Sequence, residues 1–397
     1  MNTVVILFWI FFGIIFYTYI GYGMLLWLLV RMKRWFAKRK LVMDIDYEPE
    51  VTVLVSAYNE ANYVAQKVRN TKQLNYPQHK IKQLWVTDGS TDKSVEQLRT
   101  YEGVEVLHVA ERGGKIAAMN RGMQHVTTPI VIFSDANTDL GINAVREIIR
   151  LFQHETVGCV SGEKRIYSGA SADAATAGEG LYWKYESQLK RWDAELHSVV
   201  GAAGELFAIR TALWQEVEAD TLLDDFIISL RVAMKGYTIQ YNPEAYAIET
   251  ASANVEEEMK RKVRIAAGGI QSIIRLAPLL NIFKYKTLAF QYISHRVLRW
   301  TITPFLLVLL IPLNAYLVVH ETGWFYLYIA LVQVLFYVSA GLGWMLETRK
   351  IKVKVLFVPY YFMVMNVSVF LGIKRYFSKK QTVLWERSKR QSTVYNV

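Results

Sequence analysis

One cysteine, Cys159, stands in 397 residues. A lone thiol excludes an intrachain disulfide and any cysteine-based zinc site. Charge is missing from a long stretch, since residues 4–30 carry none. At about 1.5 Å per residue that run reaches roughly 40 Å as a helix, more than the ~30 Å hydrocarbon core of a bilayer. No Lys or Arg precedes it. A secretory leader has a basic start and a shorter apolar core of about 7–15 residues, so the run is read as an uncleaved anchor. Basic residues are also absent between the uncharged runs 300–319 and 323–346, where the link is His320, Glu321 and Thr322. Neither an internal repeat nor a low-complexity linker is present.

The basic residues that do occur are placed unevenly. Six lie in 31–40, and Arg349, Lys350, Lys352 and Lys354 follow the run 323–346. Positive charge stays on the cytoplasmic side of membrane spans. That rule expects a multi-pass protein of the cell membrane, with its N-terminus outside and residues 50–290 cytoplasmic. The net charge of +11 is then explained by basic flanks facing anionic membrane lipids. With no basic–aromatic recognition motif, nucleic acid is not expected as a partner. A full crossing at 355–373 would carry the basic tail outside, and Pro359 and Asn366 interrupt it. A re-entrant or interfacial helix pair is expected there, leaving the tail cytoplasmic.

The middle of the chain alternates strand and helix patterns. The runs 51–57, 81–87, 104–109 and 129–134 are strand-like, and 61–72, 92–100 and 113–126 are helix-like. Such alternation predicts a doubly wound parallel sheet, with ligands bound beyond the carboxyl ends of the strands. Farther on, 173–192 looks helical, 199–209 strand-like and rich in small residues, and 224–236 helical up to Gly236. Residues 255–276 form a basic amphipathic helix expected to lie along the membrane face. The expected domains are an anchor with its basic flank (1–40), a cytoplasmic domain (41–255), interfacial helices (256–295), C-terminal membrane helices (296–375) and a basic tail (376–397).

Four acidic stretches end or follow apolar runs: SAYNE (56–60), TDGS (87–90), SDAN (134–137) and LLDDF (222–226). Asp135 and Asn137 can present two oxygens to a hard cation such as Mg2+ or Mn2+, or can form a turn or cap. Asp88 can accept hydrogen bonds from a base or ribose, or simply make an Asp-Gly turn. Glu60 is placed to cap the following helix. Lys115, after Gly113 and Gly114 at a helix start, suits a phosphate as well as solvent. Asp224 and Asp225 repel one another, which raises the pKa of one and suits a general base; they equally suit the positive end of a helix. Arg261 and Arg264 share one helix face and can clamp a diphosphate or face anionic lipid.

Taken in this order, the motifs resemble those of family 2 glycosyltransferases. The likeness is greatest to membrane-embedded synthases of the cellulose, hyaluronan and poly-N-acetylglucosamine type, over about residues 50–275. The resemblance implies a GT-A-like α/β domain, a doubly wound mixed sheet, between N- and C-terminal transmembrane helices. It implies a nucleotide site at Ala57, Tyr58, Glu60, Asp88, Lys115, Asp135, Arg261 and Arg264. Met119 and Asn120 match the residues that follow the family's lysine. The metal motif is matched by Asp135, with Asn137 in place of a second Asp. Asp225 becomes the catalytic base, with Asp224 beside it. A Gln-x-x-Arg-Trp motif is matched only by Arg261 through Arg264, with Ile265 where the family has Trp. Trp385 and Arg390 faintly resemble a gating loop. Gly204, Glu205 and Trp183 are the candidate acceptor contacts.

The implied reaction is inverting transfer of a hexose from a nucleotide-sugar donor, with UDP-sugar first in expectation, assisted by a divalent cation. The acceptor is a growing polysaccharide or a membrane-anchored glycan. Two other readings stay open: transfer of a single sugar to a polyprenyl phosphate or other lipid-linked acceptor, and a non-enzymatic membrane binding protein on a degenerate transferase fold. Four spans are few to enclose a channel, which leaves room for partner subunits or a homodimer.

Overall fold

The computed structural model describes residues 3–36, 47–167, 174–250, 255–321, 324–349, 351 and 353–378. Eight strands form a single sheet: β1 (Val51–Ala57), β2 (Ile81–Asp88), β3 (Val104–Val109), β4 (Ile130–Asp135), β5 (Asp139–Leu140), β6 (Val157–Tyr167), β7 (Leu206–Arg210) and β8 (Thr238–Thr250). Their order across the sheet is β3-β2-β1-β4-β7-β6-β8-β5. The first four are parallel neighbours, as the strand–helix alternation predicts. β7 then enters antiparallel to both β4 and β6, β6 and β8 are parallel, and β5 closes the edge antiparallel to β8. The sheet is therefore mixed.

Both sheet faces are buried, which is why the strands are continuous apolar runs rather than alternating ones. Leu54, Leu84, Val86, Val131 and Phe133 face one core, against Ile116 and Met119 of the helix Lys115–Met123 and Ile227 and Leu230 of the helix Asp224–Met234. Val53, Val55, Trp85, Ile130 and Ile132 face the other, against Val64 and Val68 of Ala61–Lys72 and Ile148 and Ile149 of Ala144–Leu151. Phe133 and Phe207 are paired across β4 and β7, with stacked rings 4.7 Å apart.

Two sequence expectations are corrected. Only Leu206–Arg210 of 199–209 is strand. Gly201 takes a left-handed φ of +89°, and a chain of small residues there forms a loop that passes close to Phe226. The run 355–373 is not a helix pair but part of a single helix, Lys354–Phe377. Pro359 lies inside that helix, past its first turn, and has no N–H to offer the carbonyl of Val355. Asn366 is satisfied, since its Nδ2 donates to Phe362 O at 2.9 Å and its Oδ1 accepts from Tyr19 Oη at 2.7 Å. Trp385 and Arg390 lie outside the described residues.

Among the described residues, four helices are long and apolar enough to cross a membrane: Thr3–Phe36, Ile302–His320, Trp324–Thr348 and Lys354–Phe377. A buried polar cluster joins the first of these to the helix Ala174–Leu196 and to the segment 291–299. The Tyr22 hydroxyl donates to Asp193 at 2.5 Å. His295 stands between Asp193 (2.6 Å) and Glu186 (3.1 Å), and Arg296 and Arg299 reach Glu186 at 2.7 and 3.0 Å. Burial opposes ionisation of Glu186, but Arg296 and His295 override it and hold its carboxyl well below the usual range. None of these groups has a sequence motif; only the packing brings them together.

Candidate active site

Three parallel strands deliver one motif each to the same sheet edge. β1 ends at Ala57, β2 at Asp88 and β4 at Asp135, with Ser56 beside Asp135 and Ala57 beside Thr87. β7 runs the other way and pairs Leu206 with Ser134. Gly204 and Glu205, which precede it, therefore reach that edge too. The helix Asp224–Met234 carries both of its carboxylates in its first turn.

The two loops that follow β1 and β2 are tied together. Asn59 sits at φ +54°, a left-handed conformation that Asn tolerates better than most side chains. Its Oδ1 accepts from the N–H groups of Thr91 (2.8 Å) and Asp92 (3.3 Å), and its own N–H donates to Ser90 Oγ at 3.1 Å. Glu60 is buried at the start of the next helix, but its side chain makes no capping bond. The Tyr58 ring lies beneath the Arg112 guanidinium at 3.7 Å.

Asp88 is 3% exposed. Its Oδ2 accepts from Gly114 N–H at 2.6 Å and its Oδ1 lies 3.3 Å from Arg121 Nη2. Gly114 holds φ +92°, a conformation glycine adopts without penalty. Asp88 thus fixes the turn that launches Lys115. Asn120, next to Met119, is structural, with its Nδ2 donating to Val217 O at 2.8 Å.

Lys115 is the hub of the cluster. Its Nζ lies 3.0 Å from Asp135 Oδ1 and 3.2 Å from Asp224 Oδ2. Burial works against its charge, but Asp135, Asp224 and Asp225 outweigh it and hold the ammonium protonated well above its usual range. The Asp135 carboxyl is nevertheless pushed up: burial outweighs Lys115, and Glu205 and Glu249 add repulsion. The two directions are compatible, because one ammonium serves several carboxylates. Asp225 is pushed up to about 7, first by burial and then by Asp224, with Lys115 opposing. A Cβ on Gly204 would stand 3.2 Å from Asp225 Oδ2, so the carboxylate lies directly against bare backbone.

Arg264, on the helix Val255–Arg275, feels the charges of Asp224 and Asp135; burial, then Arg261, lowers its pKa. Arg261 Nε lies 3.3 Å from Glu258. Glu205 is paired with Lys164 at 2.5 Å, and Lys164 also grips Glu249. Burial opposes ionisation of Glu205, but Lys164 and Arg261 hold its carboxyl far below the usual range. The Trp183 ring lies 5.9 Å from Lys164 Nζ and 5.5 Å from Lys262 Nζ.

Four of these residues had escaped the sequence reading: Arg112, Arg121, Lys164 and Lys67. Lys67 is buried beneath the turn after β4, donating to Ser134 Oγ and Thr138 O, both at 2.7 Å. Burial lowers its pKa to about 7, with Asp139 and Asp135 opposing. Its only sequence signal is a lysine on the apolar face of an amphipathic helix.

Asp135 and Asn137 are both partly buried in or beside that turn. Among the described residues no group of three or more His, Cys, Asp and Glu is arranged to hold a metal by itself. Two oxygen donors beside a lysine still suit Mg2+ or Mn2+, which bind through one or two carboxylates and complete their shells with phosphates and water.

Residues 52–217 match the model of glycosyl transferase family 2. Over 263 residues the chain is 24% identical to poly-beta-1,6-N-acetyl-D-glucosamine synthase of Staphylococcus aureus, covering 64% of this chain and 62% of that protein. It is 28% identical over 208 residues to beta-monoglucosyldiacylglycerol synthase of a Nostoc species, covering 48% and 43%. The chain thus spans less than two thirds of the length of these curated relatives. Its shape matches that of mannosyltransferase PcManGT from Pyrobaculum calidifontis, solved with GDP-Man and Mn2+. The TM-score is 0.68 at 21% identity, over 95% of this chain and 99% of that one. The mixed sheet is that of a GT-A-like glycosyltransferase. Over residues 52–217, the chain is similar to the glycosyl transferase family 2 domain.

Proposed function

We propose that this chain is a membrane-bound, inverting hexosyltransferase that uses a nucleotide-sugar donor. The observation that carries the proposal is the cluster in which Lys115 links Asp135 to Asp224 while Asp225, pushed up to about 7, lies against Gly204. One side of it is charged for a diphosphate; the other offers a base beside open backbone.

Ala57, Tyr58, Glu60 and Asp88 border the nucleoside in this reading. Asp88 acts through the Gly114 turn as well as by direct contact. Lys115, Arg261 and Arg264 bind the diphosphate. Asp135 and Asn137 hold a divalent cation, Mg2+ or Mn2+; when bound, it supplies positive charge at the diphosphate oxygens. Asp225 takes the proton of an acceptor hydroxyl, and that oxygen attacks the anomeric carbon. The bond from this carbon to the diphosphate oxygen breaks, and the nucleoside diphosphate leaves with the electron pair. Asp224 and Lys115 set the electrostatics of the base. Charge grows on the diphosphate in the transition state, so preformed cations there act most strongly at that moment.

Gly204 and Trp183 border the acceptor side. Glu205 shapes it through Lys164 rather than with a free carboxylate. Ile265 in place of the family's Trp, together with four candidate spans, favours a single transfer to a membrane-anchored acceptor over continuous polymerisation. The charge pattern supports a cytoplasmic site, where activated sugars are made, with the N-terminus outside. A panel of nucleotide sugars incubated with membranes bearing the protein tests this. Release of nucleoside diphosphate, dependent on Mn2+ or Mg2+ and lost in Asp225→Asn with nucleotide binding intact, is expected. Unchanged transfer by that variant removes Asp225 as the base.

A further inference from the structure

Away from the carboxylate cluster, an apolar cavity of about 520 Å3 lies between the first membrane helix and the helix Ala174–Leu196. Tyr19, Gly23, Met24, Trp27, Tyr185 and Trp192 form much of its wall. The hollow has identifiable causes. The membrane helix is wound as a π-turn at Tyr17–Gly21, a device that shifts the helix register and leaves carbonyls free for other partners. The Tyr19 carbonyl accepts from the Tyr185 hydroxyl at 2.8 Å. Gly23 makes room for that hydroxyl, which would stand 2.9 Å from any Cβ there. The two helices are fastened again farther along, where Lys33 Nζ donates to Glu195 O and Leu196 O at 2.8 and 2.9 Å. Between these fastenings they touch through Tyr22, Leu26 and Leu189, and the cavity stays open beside that contact.

The cavity opens onto the surface that faces lipid. Ile20, Met24, Trp27 and Leu28 are 53%, 61%, 46% and 47% exposed, continuing the exposed apolar side chains Ile10 and Phe16. The helix Thr3–Phe36 has 34 residues, roughly 50 Å at helical rise, so its second half extends beyond a ~30 Å hydrocarbon core to headgroup level. Aromatic side chains such as Trp27 and Trp192 favour that level. The Arg31 guanidinium stacks over Trp27 at 5.4 Å. An apolar trough therefore ends at a cation.

We propose that this groove is a specific site for an anionic phospholipid of the bilayer, one acyl chain filling the hollow and the phosphate meeting Arg31. It rests on the membrane-bound part of the function proposed above and is independent of sugar transfer. An occupant braces the anchor against the helix that carries Trp183 on its other side, and so couples lipid composition to the acceptor side of the site.

The test uses the full chain in nanodiscs doped with phosphatidylglycerol or phosphatidylcholine carrying a photoactivatable acyl chain, with adducts mapped by peptide mass spectrometry. Phosphatidylglycerol should label 19–28 and 185–192 well above the lipid-exposed control stretch 327–345. Met24→Trp or Leu28→Trp, each filling the groove, should remove that excess and leave the control unchanged. Arg31→Gln should abolish a preference over phosphatidylcholine of roughly fivefold, the worth of one arginine near an anionic surface. Groove labelling no greater than the control, equal labelling by both lipids, or indifference to all three variants overturns the proposal. Selective displacement by equimolar polyprenyl phosphate also overturns it, reassigning the groove to a lipid-linked acceptor. Labelling as expected without sugar transfer would refute the enzymatic reading and leave this site standing.

Discussion

Asp225→Asn should stabilise the protein at the same pH at which it stops turnover. In the folded chain burial and Asp224 move the Asp225 carboxyl from its ordinary 3.8 to about 7. Each pH unit between those values corresponds to about 1.4 kcal/mol, so holding the ionised form in place costs roughly 4 kcal/mol at most. The sign follows from proton counts. Between pH 4 and 7 the folded state keeps the proton that the unfolded state has lost, so this group's contribution to stability falls as pH rises and is gone above about 7. Asparagine carries no such charge. Thermal unfolding of wild type and variant should coincide near pH 4 and separate by several degrees at pH 8, the variant melting higher. Turnover of the wild type should rise through pH 7 as the base deprotonates, from roughly a tenth of its maximum at pH 6 to about nine-tenths at pH 8. Parallel melting curves at all pH values, or a turnover profile flat from pH 5 to 8, would refute both the burial argument and the role of Asp225 as base.

Three further outcomes are expected. Lys115→Met leaves Asp135 and Asp224 without their shared cation and should lower kcat by about a hundredfold or more, as loss of one preorganised charge in a transition-state site does; single-turnover kinetics measure it. Asp88→Ala removes the acceptor for Gly114 N–H and should weaken nucleotide affinity by about tenfold, on the order of one charged hydrogen bond, read by calorimetric titration of nucleoside diphosphate. Chelation of divalent cations should abolish transfer and loosen nucleotide binding, and added Mn2+ should restore both. Persistence of transfer in excess chelator would remove the metal role of Asp135 and Asn137.

Much of this protein is written in local sequence. Apolar runs bounded by glycine, asparagine and aspartate mark β1, β2, β3 and β4, because parallel strands buried on both faces must be apolar along their whole length. Charge-free runs of about twenty residues or more mark the candidate membrane helices. The acidic motifs sit at strand ends, so Asp88 and Asp135 are legible at the same edge of the sheet once the strands are parallel, with β1 between them. Tertiary structure decided the rest. That β7 runs antiparallel to β4 brings Glu205 to the site edge, and no local signal encodes which way a strand enters a sheet. Lys164, Arg112 and Arg121 are ordinary charges in sequence and become part of the site through contacts to residues far along the chain, such as Arg121 to Asp88, 33 residues away, and Lys164 to Glu249, 85 residues away. The helix Lys354–Phe377 runs on through Asn366, whose Oδ1 is satisfied by Tyr19, a partner 347 residues away that no window of sequence contains. Residue spacing specifies periodicity and therefore elements; which buried charges meet depends on distances between elements, and those exist only after the chain has packed.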